Sequence, residues 1–233
     1  MSIFEVVIDE PNNNVITVEA IERVIAQIDA AEGRPLLLTG AGRAFSAGVN
    51  LERVLEMDRA ETRYFLEQLE VVTERLYTYP APTVVAVNGH SIAGGCILAL
   101  ACDYRVATTH PKARIGLTEL ALGVAFPPGV FQLLRARLPS AHQDELMLGA
   151  GLHAPERALA LGLVDALSDD PVAAGRERLE LLSGYPSATY ASTKAGMRTV
   201  SFAEAGSVPG AWEAVLDAWM SEEVRGRMRA LLR

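Results

Sequence analysis

Cysteine is scarce in this 233-residue chain, and the two that occur, Cys96 and Cys102, lie in one apolar stretch. That usage excludes a disulfide scaffold, suggests no zinc site and points to a reducing compartment. Positive charge is also in short supply. The 21 Lys and Arg stand against 29 Asp and Glu, a net charge of -8, which argues against nucleic acid or an anionic membrane as general partners. Any anionic ligand must therefore be met by local groups. Apolar runs long enough to cross a bilayer are missing, and the first residues, MSIFEVVIDEP, carry no basic segment followed by an apolar one. The expected setting is the cytoplasm.

What is present is hydrophobic bulk, half of all residues, enough for one domain with a sizeable core and at most a small appendage. The stretch Thr83 to Ala107, TVVAVNGHSIAGGCILALACDYRVA, organises the rest. Its β-branched start reads as a buried strand, Asn88 to Ala93 as a tight loop, and Gly94 onward as an apolar helix. Gly94 and Gly95 fall where that helix begins, so unpaired N–H groups face outward with no side chain in the way. The helix dipole adds to the attraction of an oxygen that carries negative charge.

Further strands are predicted at Ile3 to Ile8, Pro35 to Thr39, Asp103 to Ala107 and Arg114 to Leu117. Helices are predicted after Thr17, a capping residue, and over Ala60 to Tyr77, with Phe65, Leu69, Val72 and Leu76 on one stripe. Strands alternating with helices imply an α/β fold with a largely parallel sheet. Beyond Asp170-Pro171 only helical segments remain, at Val172 to Leu182, Ser187 to Val200 and Ala211 to Leu232, with loops at Ser183 to Pro186 and Ser201 to Gly210. The chain thus divides into a core, 1–171, and a C-terminal helical region, 172–233. In the last segment Trp212, Val215, Leu216 and Trp219 share one face, which points to self-association, with packing inside the chain as the alternative.

Two glycine-rich loops follow strands and so lie together at the carboxyl edge of a parallel sheet, where ligands bind in such folds. The first is GAGRAFSAGVN, Gly40 to Asn50. Its small residues admit backbone contact, and the N–H of Val49 can join that of Gly94 on one carbonyl oxygen. Phosphate motifs fail: Phe45 stands where a dinucleotide fingerprint needs glycine, and no Lys-Ser or Lys-Thr follows Gly94. Gly89-His90-Ser91-Ile92-Ala93 approaches a nucleophile elbow, with Ser91 as nucleophile, but its closing glycine is alanine and His110, His142 and His153 lack an obvious acidic orienter. Glu119 sits in the uncharged run IGLTELALG. Burial there raises its pKa, giving either a general base or a carboxylate that caps a turn.

The segments LTGAGRAFSAGVNL, APTVVAVNGHSIAGGCILALACDYRVA, IGLTELALGV and APERALALGLVDAL together resemble the enoyl-CoA hydratase/isomerase, or crotonase, superfamily. The resemblance implies a ββα spiral core with a C-terminal helical trimerisation region. It also implies a homotrimer or dimer of trimers, no metal or redox cofactor, and a coenzyme A thioester as substrate. On this resemblance Val49 and Gly94 form the oxyanion hole, Arg43, Ala44 and Ala47 join them in binding the substrate and its CoA, and Glu119 is the catalytic acid/base. Hydratases of the family use two glutamates. Ile97 stands at the first position here and only Glu119 remains, the pattern of 3,2-enoyl-CoA isomerases of fatty acid β-oxidation, which TKAGMR, Thr193 to Arg198, also resembles. Asn50 departs from the acidic residue common after the first loop. Alternatives are hydration or thioester hydrolysis, with Glu61, Glu67 or Glu70 as the extra group, and a non-catalytic acyl-CoA-binding subunit.

Overall fold

A computed structural model describes residues 2–232. Eight strands are found there: β1 (Phe4–Ile8), β2 (Leu36–Gly40), β3 (Ala44–Ser46), β4 (Thr83–Val87), β5 (His90–Ile92), β6 (Tyr104–Thr108), β7 (Ile115–Gly116) and β8 (Ala166–Ser168). They form two sheets, a larger one ordered β1-β2-β4-β6-β8 and a smaller one ordered β3-β5-β7. Every pairing in both is parallel. The chain visits the large sheet and then the small one three times, as β2 to β3, β4 to β5 and β6 to β7. This alternation is the spiral expected of the α/β core.

The helices are α1 (Val18–Ala30), α2 (Leu51–Glu56), α3 (Arg59–Thr78), α4 (Gly94–Ala101), α5 (Glu119–Leu122), α6 (Pro128–Arg137), α7 (Pro155–Ala160), α8 (Pro171–Ser183), α9 (Ser187–Met197), α10 (Phe202–Ser207), α11 (Ala211–Met220) and α12 (Glu222–Leu231). Their starts follow local chemistry. The Thr17 hydroxyl accepts from Ala20 N at the head of α1, and Asp58 and Glu61 form a reciprocal capping box on α3. The stripe Phe65, Leu69, Val72 and Leu76 is buried in the main core, and α4 is buried along its whole length. Leu179 on α8 packs against Leu37, Val84, Ala86 and Val106, so this helix covers the other face of the large sheet.

The motif TKAGMR belongs to an ionic anchor. Lys194 Nζ and Arg198 Nη2 reach the Asp103 carboxylate at 2.9 and 2.7 Å, and the Tyr190 hydroxyl donates to it at 2.9 Å. All three come from α9 or its end and fix that helix to the start of β6.

Four expectations need correction. The loop Asn88 to Ala93 contains β5, a strand too short to show alternation. Ser201 to Gly210 holds α10, and the final segment is two helices, parted at Ser221, whose hydroxyl caps α12 by accepting from Val224 N. The face of Trp212, Val215, Leu216 and Trp219 does not await a partner. These residues are only 4 to 6% exposed, packed against α3 and α6 of the same chain. Arg63 stacks over the Trp212 ring, and Trp219 Nε1 donates to Ala125 O at 2.8 Å.

Candidate active site

The three strands of the small sheet deliver one residue each to a common edge. Val49 follows β3, Gly94 follows β5 and Glu119 follows β7, and since the strands lie side by side, so do the three residues. All three line one cavity of about 650 Å³.

Val49 is held by a single parallel bridge to Ile16, in which Ile16 N donates to Gly48 O and Asn50 N donates to Ile16 O. The bridge uses groups on either side of Val49, so its own N–H turns away from Ile16. Gly94 heads α4, and the first N–H groups of a helix have no partner within it. Neither nitrogen donates to a protein acceptor among the described residues. A Cβ placed on Gly94 would stand 4.0 Å from Val49 N. Two free N–H groups lining the same mostly apolar cavity suit one oxygen that carries or develops negative charge.

Both donors rest on unusual backbone. Ala93, just before Gly94, has φ 50° and ψ -119°, a conformation that costs an alanine of order 1–3 kcal/mol. It is pinned by Ala93 N to Gly116 O at 2.9 Å and Ile97 N to Ala93 O at 3.0 Å. Below Val49, Asn12, Asn13 and Asn14 make one left-handed turn, with φ between 56° and 62°. Asparagine tolerates that region better than most residues. The turn then grips the first loop, since Asn13 O accepts from Ala47 N, Asn14 O accepts from Ser46 Oγ, and Asn14 Nδ2 donates to Ala41 O and Ala44 O. Asn50 caps α2 by accepting from Arg53 N at 3.1 Å. Asparagine and aspartate are nearly equivalent there, so the departure at Asn50 leaves the cap intact.

Glu119 opens α5 and is 7% exposed, with Oε2 bonded to no described residue. Burial pushes its pKa up to about 7, while the N–H groups of Glu119 and Thr118 pull the other way. The rest of the lining is mainly apolar, including Leu69, Ile97, Phe126 and Trp219. Glu119 is the one carboxylate lining the cavity among the described residues, and Arg227 the one cation.

Ala47 lines the cavity, whereas Arg43 is exposed outside it and Ala44 is buried within β3. Glu61, Glu67 and Glu70 do not reach it. Glu61 is spent in its capping box, Glu67 pairs with Arg63, and Glu70 accepts from Gly129 N at the head of α6. Burial raises Glu70 to about 7 against the pull of Gly129 and Val130 N–H. Ser91 is fully buried in β5, off the cavity, and the sharp turn of this strand-to-helix corner falls on Ala93, so no nucleophile elbow exists. Among the described residues no group of three or more His, Cys, Asp or Glu is placed to hold a metal ion. Reading by sequence missed Asn12 to Asn14, Trp219 and Arg227 as parts of the site. Only the run of asparagines carried a local signal.

A family profile described as enoyl-CoA hydratase/isomerase matches residues 1–213. A Thermus thermophilus protein provisionally named an enoyl-CoA hydratase is 38% identical over 167 residues, 69% of this chain and 65% of its own length. Mouse mitochondrial enoyl-CoA delta isomerase 1 is 38% identical over 122 residues, 52% of this chain and 42% of that protein. The chain thus spans less than two thirds of either curated relative. Human mitochondrial delta3-delta2-enoyl-CoA isomerase superposes with a TM-score of 0.88 at 24% identity, covering 98% of this chain and 93% of the other, a likeness of fold. The spiral of two parallel sheets, its C-terminal helices and the profile match over residues 1–213 agree: the chain belongs to the enoyl-CoA hydratase/isomerase, or crotonase, family.

Proposed function

We propose that this chain converts 3-enoyl-CoA to trans-2-enoyl-CoA. The thioester oxygen accepts from Val49 N–H and Gly94 N–H, which lowers the energy of the enolate formed when a proton leaves C2. Glu119 takes that proton as carboxylate. The electron pair of the C2–H bond delocalises with the C3–C4 double bond into a dienolate, and Glu119 returns the proton at C4. The double bond then lies between C2 and C3, and the carboxylate is restored. Arg43, Ala44 and Ala47 belong to the CoA side of the first loop, and the acyl chain runs between Leu69, Ile97 and Trp219.

The observation that carries this reading is the solitary carboxylate. Hydration requires a second group to position water, yet Ile97 is apolar and Glu61, Glu67 and Glu70 are engaged elsewhere. Among the relatives the mouse protein is named an isomerase and the Thermus protein a hydratase, so their names do not decide between the two. Purified protein is to be assayed with 3-hexenoyl- and 3-dodecenoyl-CoA, and with crotonyl-CoA for hydration. Isomerisation that falls by about 10²- to 10⁴-fold in Glu119→Gln supports the proposal; no isomerisation by the wild type, or a Glu119→Gln rate equal to it, sinks it. The trimer or dimer of trimers is part of the same reading. Its interface lies away from the buried Trp212 to Trp219 face, and light scattering at micromolar concentration tests it.

A further inference from the structure

Two arginines on α12 hold the far ends of the two short helices on which the site residues ride. Helix α2, of six residues, starts just after Val49 and Asn50, and α5, of four, starts at Glu119. Helices this short leave most of their last carbonyls without internal partners and do not persist on propensity alone. Arg225 Nη2 donates to Val54 O, Leu55 O and Met57 O at 2.9, 3.3 and 2.8 Å, closing the end of α2. Arg227 Nη1 donates to Ala121 O in α5 at 3.2 Å, its other nitrogen being paired with Glu223 at 2.7 Å.

Val224, next to Arg225 and buried, lies beside the turn that ends α5. A Cβ on Gly123, whose φ is +92°, would stand 3.1 Å from Val224 Cγ2 and 3.5 Å from Arg227 Nη1. One rigid element therefore grips both supports, α2 behind Val49 and α5 behind Glu119.

We propose that Arg225 and Arg227 are positioning residues, and that α12 is a brace fixing the distance between the Val49 N–H and the Glu119 carboxylate. This rests on the isomerisation proposed above. There the carboxylate must serve both C2 and C4 while the thioester oxygen is held still, and misplacement by about 1 Å can cost roughly 10²-fold in rate. Neither arginine is asked to touch a reacting atom. The bond from Arg227 goes to a backbone carbonyl of α5, so its effect passes through the backbone of that helix.

The test uses the full chain with Arg225→Met, Arg227→Met and the corresponding lysine variants. Methionine keeps the apolar stem and removes the donors. Each methionine variant is expected to lose about 10- to 100-fold in kcat with KM within about threefold, since the loss falls on the transition state. In Arg227→Met the rise of kcat/KM with pH moves below about 7 as Glu119 becomes wetter, and Arg227→Lys recovers much of the rate. Amide exchange supplies a readout independent of turnover. Gly123 N and Val124 N donate to Glu119 O at 2.9 and 3.0 Å, and both are expected to exchange faster in Arg227→Met than in wild type. Unchanged exchange overturns the brace whatever the reaction is, whereas a wild type inactive on 3-enoyl-CoA overturns the reaction. A rise in KM alone, with kcat kept, overturns the brace in favour of a cation that attracts substrate.

Discussion

The backbone nitrogen of Val49 lies 4.0 Å from the point where a Cβ on Gly94 would stand. A methyl group there adds bulk beside the Val49 N–H, so Gly94→Ala is expected to hinder a shared oxygen while sparing the fold. Its other neighbours are the ends of side chains, Ile16 Cδ1 at 3.0 Å and Val49 Cγ2 at 3.5 Å, and alanine suits a helix better than glycine. The expected result is a melting temperature at or near that of wild type and a fall in kcat/KM of up to about 10²- to 10³-fold, as large as the loss of one donor, since the N–H stays but the oxygen is kept from it. A variant that keeps half of the wild-type kcat/KM contradicts the assignment.

Activity should follow the ionisation of Glu119. The base works only as carboxylate, so log kcat/KM is expected to rise with unit slope from acid pH and level off above about 7, the pKa that burial imposes. A plateau already reached at pH 5 points to a different base.

The same burial makes Glu119 a stability burden. A carboxyl whose folded pKa exceeds its ordinary 4.5 binds its proton more tightly when folded. Stability therefore drops as pH climbs from about 4.5 to about 7 and stays reduced above that. Glu119→Gln should then melt higher than wild type at pH 8, with the gap closing below pH 4.5. Calorimetry at the two pH values checks this, and the sign of the gap at pH 8 is decisive.

Ile97 lines the cavity with Glu119, so a carboxylate there would supply the second group that hydration needs. Ile97→Glu is expected to acquire measurable hydration of crotonyl-CoA, followed as loss of enoyl absorbance, at the expense of stability because the new charge enters a buried site. A folded variant with no hydration shows that the pair must be placed more finely than this exchange allows.

Asp103 offers a test of the fold apart from the chemistry. Burial alone would raise its pKa, but Lys194, the Thr83 N–H and Arg198 outweigh that and hold the carboxyl below its ordinary range. Its contribution is therefore present above about pH 4 and fades as pH falls below that value. Asp103→Asn leaves two buried cations short of their partner and is expected to cost about 3–5 kcal/mol, read as a lower urea midpoint at pH 7. Equal midpoints would show that the anchor is dispensable.

The sequence made legible whatever is written locally. Strands β1 and β4, the Thr17 cap, the stripe on α3 and the head of α4 each depend on neighbours within a few positions, and each stands within a residue or two of its expected place. Strand β5 escaped because three residues cannot display a period. The Trp212 to Trp219 face was read correctly as apolar but assigned the wrong cover, since periodicity says which face is greasy and not what lies on it. The placing of Val49 and Gly94 in loops that follow strands, and the burial of Glu119 in an otherwise uncharged run, were legible because both are local features. Trp219 and Arg227 reach the site across 94 and 106 residues respectively, a distance over which no local pattern extends.

The alternation between two sheets has a consequence for how such a chain can vary. Each pass from large sheet to small brings one site residue to the edge, and the helices between passes lie outside that row. Segments inserted into the turns between passes, such as the one between α6 and α7, leave the spacing of Val49, Gly94 and Glu119 untouched. A single residue added between β3 and Val49, or between β7 and Glu119, throws one member out of line. The architecture thus separates where length can drift from where it cannot, and it confines the second kind to a handful of peptide bonds.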